Sequence, residues 1–300
     1  MSSNHAVFFI GPAGTGKSSL CTAMLEHFEA IKRKAHLVNL DPAAILPKYR
    51  PSFDIKDHIS VEEVMDQNDC GPNGGLLLSL EKALDSESGL REDLENREDD
   101  FLLVDCPGQI EIYTHTDILE KIIGIFIQNS YRVCVVYLLE AHFVLEPTKF
   151  IAGVLNALSA MMNLETPHLN VISKVDLLEE NSLGEIGKSN EEDGEDGEDG
   201  GGDTSGDEDA FFEDVEDGSS RFSPYFYPDS AYLLESIDKK TPSKYKKLNK
   251  ALVDLMDEYQ LVNFLPVSVK NKKSIEHLVL HMDNCLQYGE DTETKETDRE

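Results

Sequence analysis

Gly11-Pro12-Ala13-Gly14-Thr15-Gly16-Lys17-Ser18 decides the fold of this chain. An apolar run, Ala6–Ile10, precedes it and a helical pattern, Leu20–Phe28, follows. Strand, glycine-rich turn and helix form the context of a phosphate-binding P-loop. The backbone N–H groups of such a turn converge on phosphate oxygens, and the helix N-terminus adds the positive end of its dipole. Gly14, Thr15, Gly16, Lys17, Ser18 and Ser19 are therefore the expected nucleotide contacts. Lys17 would reach the β- and γ-phosphates, and the Ser18 hydroxyl would ligate Mg²⁺.

Working outward, short apolar runs alternate with helical patterns. Val7–Ile10, His36–Leu40, Phe101–Asp105, Tyr131–Leu139, Asn170–Ser173 and Val262–Pro266 read as six strands. They lack polar–apolar alternation, as expected of strands covered on both faces. The clearest helical pattern is Pro242–Tyr259, with Thr241 as N-cap and an apolar face of Tyr245, Leu248, Leu252, Leu255 and Tyr259. This alternation predicts an α/β architecture: a doubly wound, mostly parallel sheet with helices on both faces, the P-loop NTPase fold. One such domain is expected over residues 1–288, with a polar tail at 289–300.

The composition is that of a globular chain, 40% hydrophobic and 28% charged, with a formal net charge of -31. That charge opposes nonspecific binding to nucleic acid or anionic membrane. No apolar run is long enough to span a bilayer, and residues 1–5 do not form a signal peptide. A cytoplasmic location is expected. Five cysteines without CxxC spacing argue for reduced thiols rather than disulfides or a zinc site. Residues 185–220 break the pattern. Ser189–Asp217 holds 15 acidic residues and no Lys or Arg. A disordered acidic insertion is expected there, with Phe211-Phe212 as an apolar exception.

Two further motifs extend the chemistry. Asp105-Cys106-Pro107-Gly108-Gln109 follows the third strand, where an Asp holds Mg²⁺ in P-loop proteins. Gly108 permits a close backbone approach, and Gln109 sits where an amide could orient an attacking water. Glu111 is a polar candidate in the same turn. Ser173-Lys174-Val175-Asp176 follows the fifth strand and approximates Asn-Lys-x-Asp, in which the Asp accepts from guanine N1 and N2 and the Lys stem covers the base. Ser173 is shorter than the signature Asn and cannot reproduce its amide contact. Ser268-Val269-Lys270 resembles the loop that touches guanine O6. The order of motifs favours GTP over ATP. Gly71-Pro72-Asn73 precedes a helical run, Leu76–Leu84, and on physics alone reads as a helix cap.

With these motifs in this order, and with Leu40-Asp41-Pro42-Ala43 after the second strand, the chain resembles the GPN-loop GTPases. The resemblance covers about residues 6–184 and 222–291 and leaves the acidic block outside it. It implies that Asn73 acts in trans at the partner's γ-phosphate and that Asp41 lies near Mg²⁺ and the attacking water. The implied catalytic set is Asp41, Asn73, Asp105 and Gln109. Lys174, Asp176 and Ser268 serve the base, and Ser18 and Asp105 the metal. The resemblance also implies a homodimer or a heterodimer with a paralogue, and an assembly and nuclear-import role for RNA polymerase II, hence shuttling to the nucleus. Two rivals remain at this stage. A P-loop nucleoside kinase would bring an Arg-rich lid, yet Arg221 is the only Arg between Val133 and Asp298. A GTP-binding scaffold with little turnover is the other.

Overall fold

A computed structural model describes residues 4–44, 50–85, 88–95, 101–178, 212, 214–215, 220–259 and 263–289. Most of the acidic block, the end of the C-terminal tail and Val262 lie outside the described residues. Among the described residues seven strands form one sheet: β1 (Asn4–Ile10), β2 (Ala35–Asn39), β3 (Phe53–Asp54), β4 (Phe101–Asp105), β5 (Tyr131–Glu140), β6 (His168–Ser173) and β7 (Phe264–Val267). Their order is β3-β2-β4-β1-β5-β6-β7. The described pairings of β1 with β4 and β5, of β2 with β3 and β4, and of β6 with β7 are all parallel. The expected doubly wound α/β sheet is thus present. The sequence reading missed β3, whose two residues are too few to carry a pattern.

Helices intervene along the chain: α1 (Lys17–Ala30), α2 (Val61–Asn68), α3 (Pro72–Asp85), α4 (Ser88–Glu95), α5 (Glu111–Thr114), α6 (Ile118–Gln128) and α7 (Pro147–Leu164). They continue with α8 (Ser223–Phe226), α9 (Ser230–Lys240), α10 (Lys246–Glu258) and α11 (Lys272–Leu286). Among the described residues no helix is long and apolar enough to cross a membrane. All five cysteines are free thiols.

The chain divides into two compact units. The first comprises Met1–Leu138, Asn156–Leu169 and His277–Glu300. Its central strand β1 is buried from His5 to Ile10. Alternate side chains serve opposite faces of a strand, and Phe8 meets Phe126 of α6 edge to face at 4.9 Å. Arg33, just past α1, fastens the end of α11 to this core. Its guanidinium lies 4.7, 4.2 and 3.7 Å from the ring centroids of Phe28, Phe101 and Tyr288. The same group donates two hydrogen bonds to the Asp283 carboxylate, at 3.0 and 2.8 Å.

The second unit comprises Leu139–Leu155 and Asn170–Glu276. Phe150 of α7 packs against Tyr225 and Phe264. Val215 is fully buried, and its carbonyl accepts from the Ser223 hydroxyl at 3.3 Å. The expected helix Pro242–Tyr259 differs in two respects. A short 3-10 turn, Ser243–Tyr245, precedes α10. Thr241 instead ends α9, donating from Oγ1 to the Ile237 carbonyl, because its extended backbone stops that helix. The buried face of α10 is Asn249, Val253 and Met256, whereas Tyr245, Leu248 and Leu255 are exposed. A buried amide accounts for the rotation: Asn249 Nδ2 donates to Asp238 Oδ1 and Thr241 Oγ1, both at 2.8 Å.

Arg33 yields a stability prediction. Removing a buried guanidinium with stacking and bidentate contacts, Arg33→Ala, should destabilise the chain by roughly 2–4 kcal/mol in denaturant melts. Arg33→Lys should restore little, since an ammonium neither forks onto Asp283 nor stacks on three rings. Wild-type stability in Arg33→Lys would reduce the cluster to a simple charge pair.

Candidate nucleotide-binding site

The glycine-rich turn leaves β1 under tight steric constraint. Gly11, Gly14 and Gly16 have φ of 134°, 85° and 87°, a region that side chains strain to adopt. A Cβ on Gly11 would lie 2.3 Å from the Leu138 carbonyl oxygen. A Cβ on Gly14 would meet no atom within 4 Å, so the turn faces open space there. Gly16 occupies the N-cap of α1, and no acidic residue stands in the first turn of that helix. The helix therefore supplies no carboxylate of its own to offset its N-terminal N–H groups and dipole. Lys17 is buried and donates from Nζ to the Gly11 and Pro12 carbonyls, at 2.9 and 3.1 Å. Thr15 is buried and donates to the Pro12 carbonyl. Ser18 and Ser19 are exposed.

Parallel pairing brings the second motif to the same end of the sheet. Phe9 of β1 and Asn39 of β2 are both in register with Asp105. Gly108 then passes against the turn, where a Cβ would lie 2.8 Å from the Ala13 Cα. Asp105 is 6% exposed, and its Oδ1 has no hydrogen-bond partner among the described residues. Burial pushes its pKa up to about 6, and Asp41 adds to the rise; a hydrogen bond from Ser18 and the Lys17 charge work the other way. Burial lowers the Lys17 pKa, with Asp105 the main opposing influence.

Asp41 is held by a local network. Its amide donates to Asn39 Oδ1 at 3.0 Å, and its Oδ1 accepts from the Ala43 amide at 2.9 Å. Asn39 Nδ2 also donates to Asp54 Oδ1 of β3 at 2.8 Å. Asn39 escaped the sequence reading, although an amide ending a strand two residues before an acid is the signal for such an Asx network.

Gly71-Pro72-Asn73 opens α3, with Pro72 at the first helical position. Asn73 lies one residue inside the helix, so it is not the cap residue. Its Oδ1 accepts from Gln109 Nε2 of the same chain at 3.0 Å. Gln109 Oε1 is buried and has no hydrogen-bond partner among the described residues. Glu111 is exposed at the start of α5.

The second unit holds the motifs expected to read the base. Lys174 follows β6 with φ of 59°, a left-handed conformation unusual for a Lys. Its Nζ lies 2.8 Å from Glu140 Oε1. Burial of Glu140 opposes its ionisation, but Lys174 and His142 hold its carboxyl below the usual range. Ser173 Oγ donates to the Leu139 carbonyl at 3.3 Å. Asp176 Oδ1 accepts from Ser268 Oγ at 3.1 Å, and its Oδ2 pairs with Lys270 Nζ at 2.8 Å. A carboxylate offers about four lone-pair sites, so two remain for other donors. Ser274 fixes the Ser268 loop, accepting from the Ser268 amide and donating to its carbonyl. Glu140 and Ser274 were not among the residues expected to serve the site.

Comparison with known proteins agrees with these motifs. A family model described as "Conserved hypothetical ATP binding protein" matches residues 9–197. The chain is similar to a GPN-loop GTPase 3 from Mycosarcoma maydis, 41% identical over 97% of this chain and 95% of that protein. It is also similar to a GPN-loop GTPase 3 from Dictyostelium discoideum, 38% identical over 97% of this chain and 90% of that one. In solved structures it resembles the apo form of a GTPase from Pyrococcus abyssi. The TM-score is 0.66 and the identity 23%, over 94% of this chain and 97% of the other. That likeness concerns the fold, whereas the identity to the two eukaryotic proteins extends over nearly the whole length. With its P-loop, its Asp105 turn and its Gly-Pro-Asn helix start, this chain belongs to the GPN-loop GTPase family.

Proposed function

We propose that the chain is a Mg²⁺-dependent GTP hydrolase that works as a dimeric switch. The observation that carries this reading is Asp105. A buried carboxylate with an unpartnered Oδ1, in hydrogen-bond contact with Ser18 and within the field of Lys17, is unfavourable without a cation. Few oxygen donors beside a phosphate-binding turn suit Mg²⁺, which keeps much of its water and is completed by substrate phosphates. Ser18 and Asp105 would hold it. When bound, the ion neutralises charge on the β- and γ-phosphate oxygens.

The rest is positioning. The N–H groups of Gly14–Ser18 and the Lys17 ammonium hold the phosphates. Asp41, fixed by Asn39, and Gln109 orient the water that attacks the γ-phosphorus. Gln109 Oε1 is buried without a partner among the described residues and would accept from that water once the side chain turns toward it, while its Nε2 donates to Asn73. Lys174 and Asp176 read guanine, with Asp176 braced by Ser268 and Lys270. The matched family is described by ATP binding, but adenine offers an acceptor where guanine N1 offers a donor, so a carboxylate favours guanine. By family resemblance, the switch is a homodimer or pairs with a paralogue and serves assembly and nuclear import of RNA polymerase II.

Two readings of Asn73 differ in mechanism. By resemblance it reaches the partner's γ-phosphate in trans. Its hydrogen bond to Gln109 favours a second reading, in which it orients Gln109 of its own chain. Mixing Asn73→Ala with Asp105→Ala chains separates them. Each single variant should lose about 10²-fold in GTP turnover. If Asn73 acts in trans, mixed pairs contain one site with wild-type Asp105 and wild-type Asn73, and turnover returns. No recovery in verified mixed pairs would leave the cis role.

Nucleotide choice is tested by displacement of a labelled guanine nucleotide. GTP should compete at least 100-fold better than ATP, and Asp176→Asn should shift preference toward xanthine nucleotides. Equal competition by ATP and GTP would overturn the guanine assignment.

The buried Asp105 also has a stability signature. An acid whose folded pKa is raised destabilises the fold above that pKa and not below the unfolded value of 3.8. Asp105→Asn should therefore stabilise the nucleotide-free chain by on the order of 2–3 kcal/mol at pH 7–8. The gain should fade as pH falls from about 6 toward the unfolded value. Thermal melts across that range check it, and the same variant should lose Mg²⁺-dependent turnover.

A further inference from the structure

Three of the five residues on the face of α10 expected to be buried are instead turned outward. Tyr245, Leu248 and Leu255 are 42%, 54% and 38% exposed. With the half-buried Leu252 they form a stripe spaced 3, 4 and 3 residues, the heptad spacing of a helix seam. The adjoining face, about 100° round the helix, buries Asn249, Val253 and Met256. The helix thus carries two apolar faces, of which its own unit covers one.

Charge is distributed unevenly along this stripe. Six of the chain's 27 Lys and Arg residues lie within Lys239–Lys250: Lys239, Lys240, Lys244, Lys246, Lys247 and Lys250. All six are exposed, and no Asp or Glu occurs from Lys239 to Val253 in a chain with 58 of them. Four of these lysines flank the beginning of α10, where the helix dipole disfavours cations. Lys246 and Lys250 also repel at i,i+4 spacing. The arrangement opposes helix stability and concentrates positive potential beside the exposed Tyr245 and Leu248.

We propose that this face docks an amphipathic helix of a partner protein, with an apolar seam and carboxylates opposite the lysine end. The seam would pack on Tyr245, Leu248, Leu252 and Leu255, in the helix-on-groove mode of recognition. The carboxylates would pair with Lys244, Lys246, Lys247 and Lys250. Charge selects this occupant. Charges act over roughly 8–10 Å in physiological salt, so a short acidic segment feels the lysines alone. A long polyanion or a membrane would also meet the acidic remainder of the chain.

Fluorescence anisotropy tests this on the full-length chain. The probe is a labelled 21-residue helical peptide with Leu at the seam and Glu beside it. The controls are its scrambled form and a version with Lys in place of Glu. The acidic amphipathic peptide should bind, and neither control should. Lys246→Glu/Lys247→Glu and Leu248→Ser/Leu255→Ser should each weaken binding at least tenfold. Both change exposed side chains and should leave thermal stability and GTP turnover unaltered, so the outcome is independent of the hydrolase reading. Equal binding of the scrambled peptide would reduce the face to a charge effect and overturn the proposal. So would unchanged binding by both variants, or self-association of the chain that these variants abolish. Tighter capture of duplex DNA or anionic vesicles through the same lysines would overturn it as well.

Discussion

The parallel pairing of β1 with β4 is the constraint on which the site depends. It sets Phe9 opposite Asp105 in register, and so brings the turns that follow both strands to one end of the sheet. The two turns can approach only because Gly108 lies at their contact, where it leaves no room for a Cβ beside Ala13, while Gly11 lets the phosphate-binding turn pass the Leu138 carbonyl of β5. A methyl group at Gly108 would push the Asp105 turn and the phosphate-binding turn apart. Lys17, Ser18 and Asp105 would then no longer share one electrostatic environment.

That environment is unfavourable as it stands. Burial raises the Asp105 pKa and lowers that of Lys17, although the two groups have opposite charge and attract. Desolvation therefore outweighs their mutual stabilisation, as is common for buried ion pairs. Lys17 satisfies itself on the loop carbonyls, whereas one Asp105 oxygen remains without a donor. Strained, under-satisfied groups persist in folded proteins mainly at functional sites. A ligand that brings both anionic phosphates and a divalent cation relieves both groups at once.

Much of this was readable in the sequence because it is local. The P-loop, the Asp105 turn and six of the seven strands announce themselves within a few residues, through glycine spacing and unbroken apolar runs. What escaped is long-range or rotational. The bond from Gln109 to Asn73 spans 36 residues, and that from Ser268 to Asp176 spans 92. No local pattern encodes such pairings. The orientation of α10 was misread because two apolar sets share the helix, and the buried Asn249 decides between them by its bonds to Asp238 and Thr241. A polar residue was thus the true marker of the inner face.

Whether Lys17, Ser18 and Asp105 form a working metal–phosphate site for GTP is read from inorganic phosphate release from GTP by the purified chain, with and without Mg²⁺, beside the Lys17→Ala variant. Release that requires Mg²⁺, stops on chelation and is absent in Lys17→Ala is the predicted result. Undiminished release in Lys17→Ala, or release indifferent to the metal, would contradict the account.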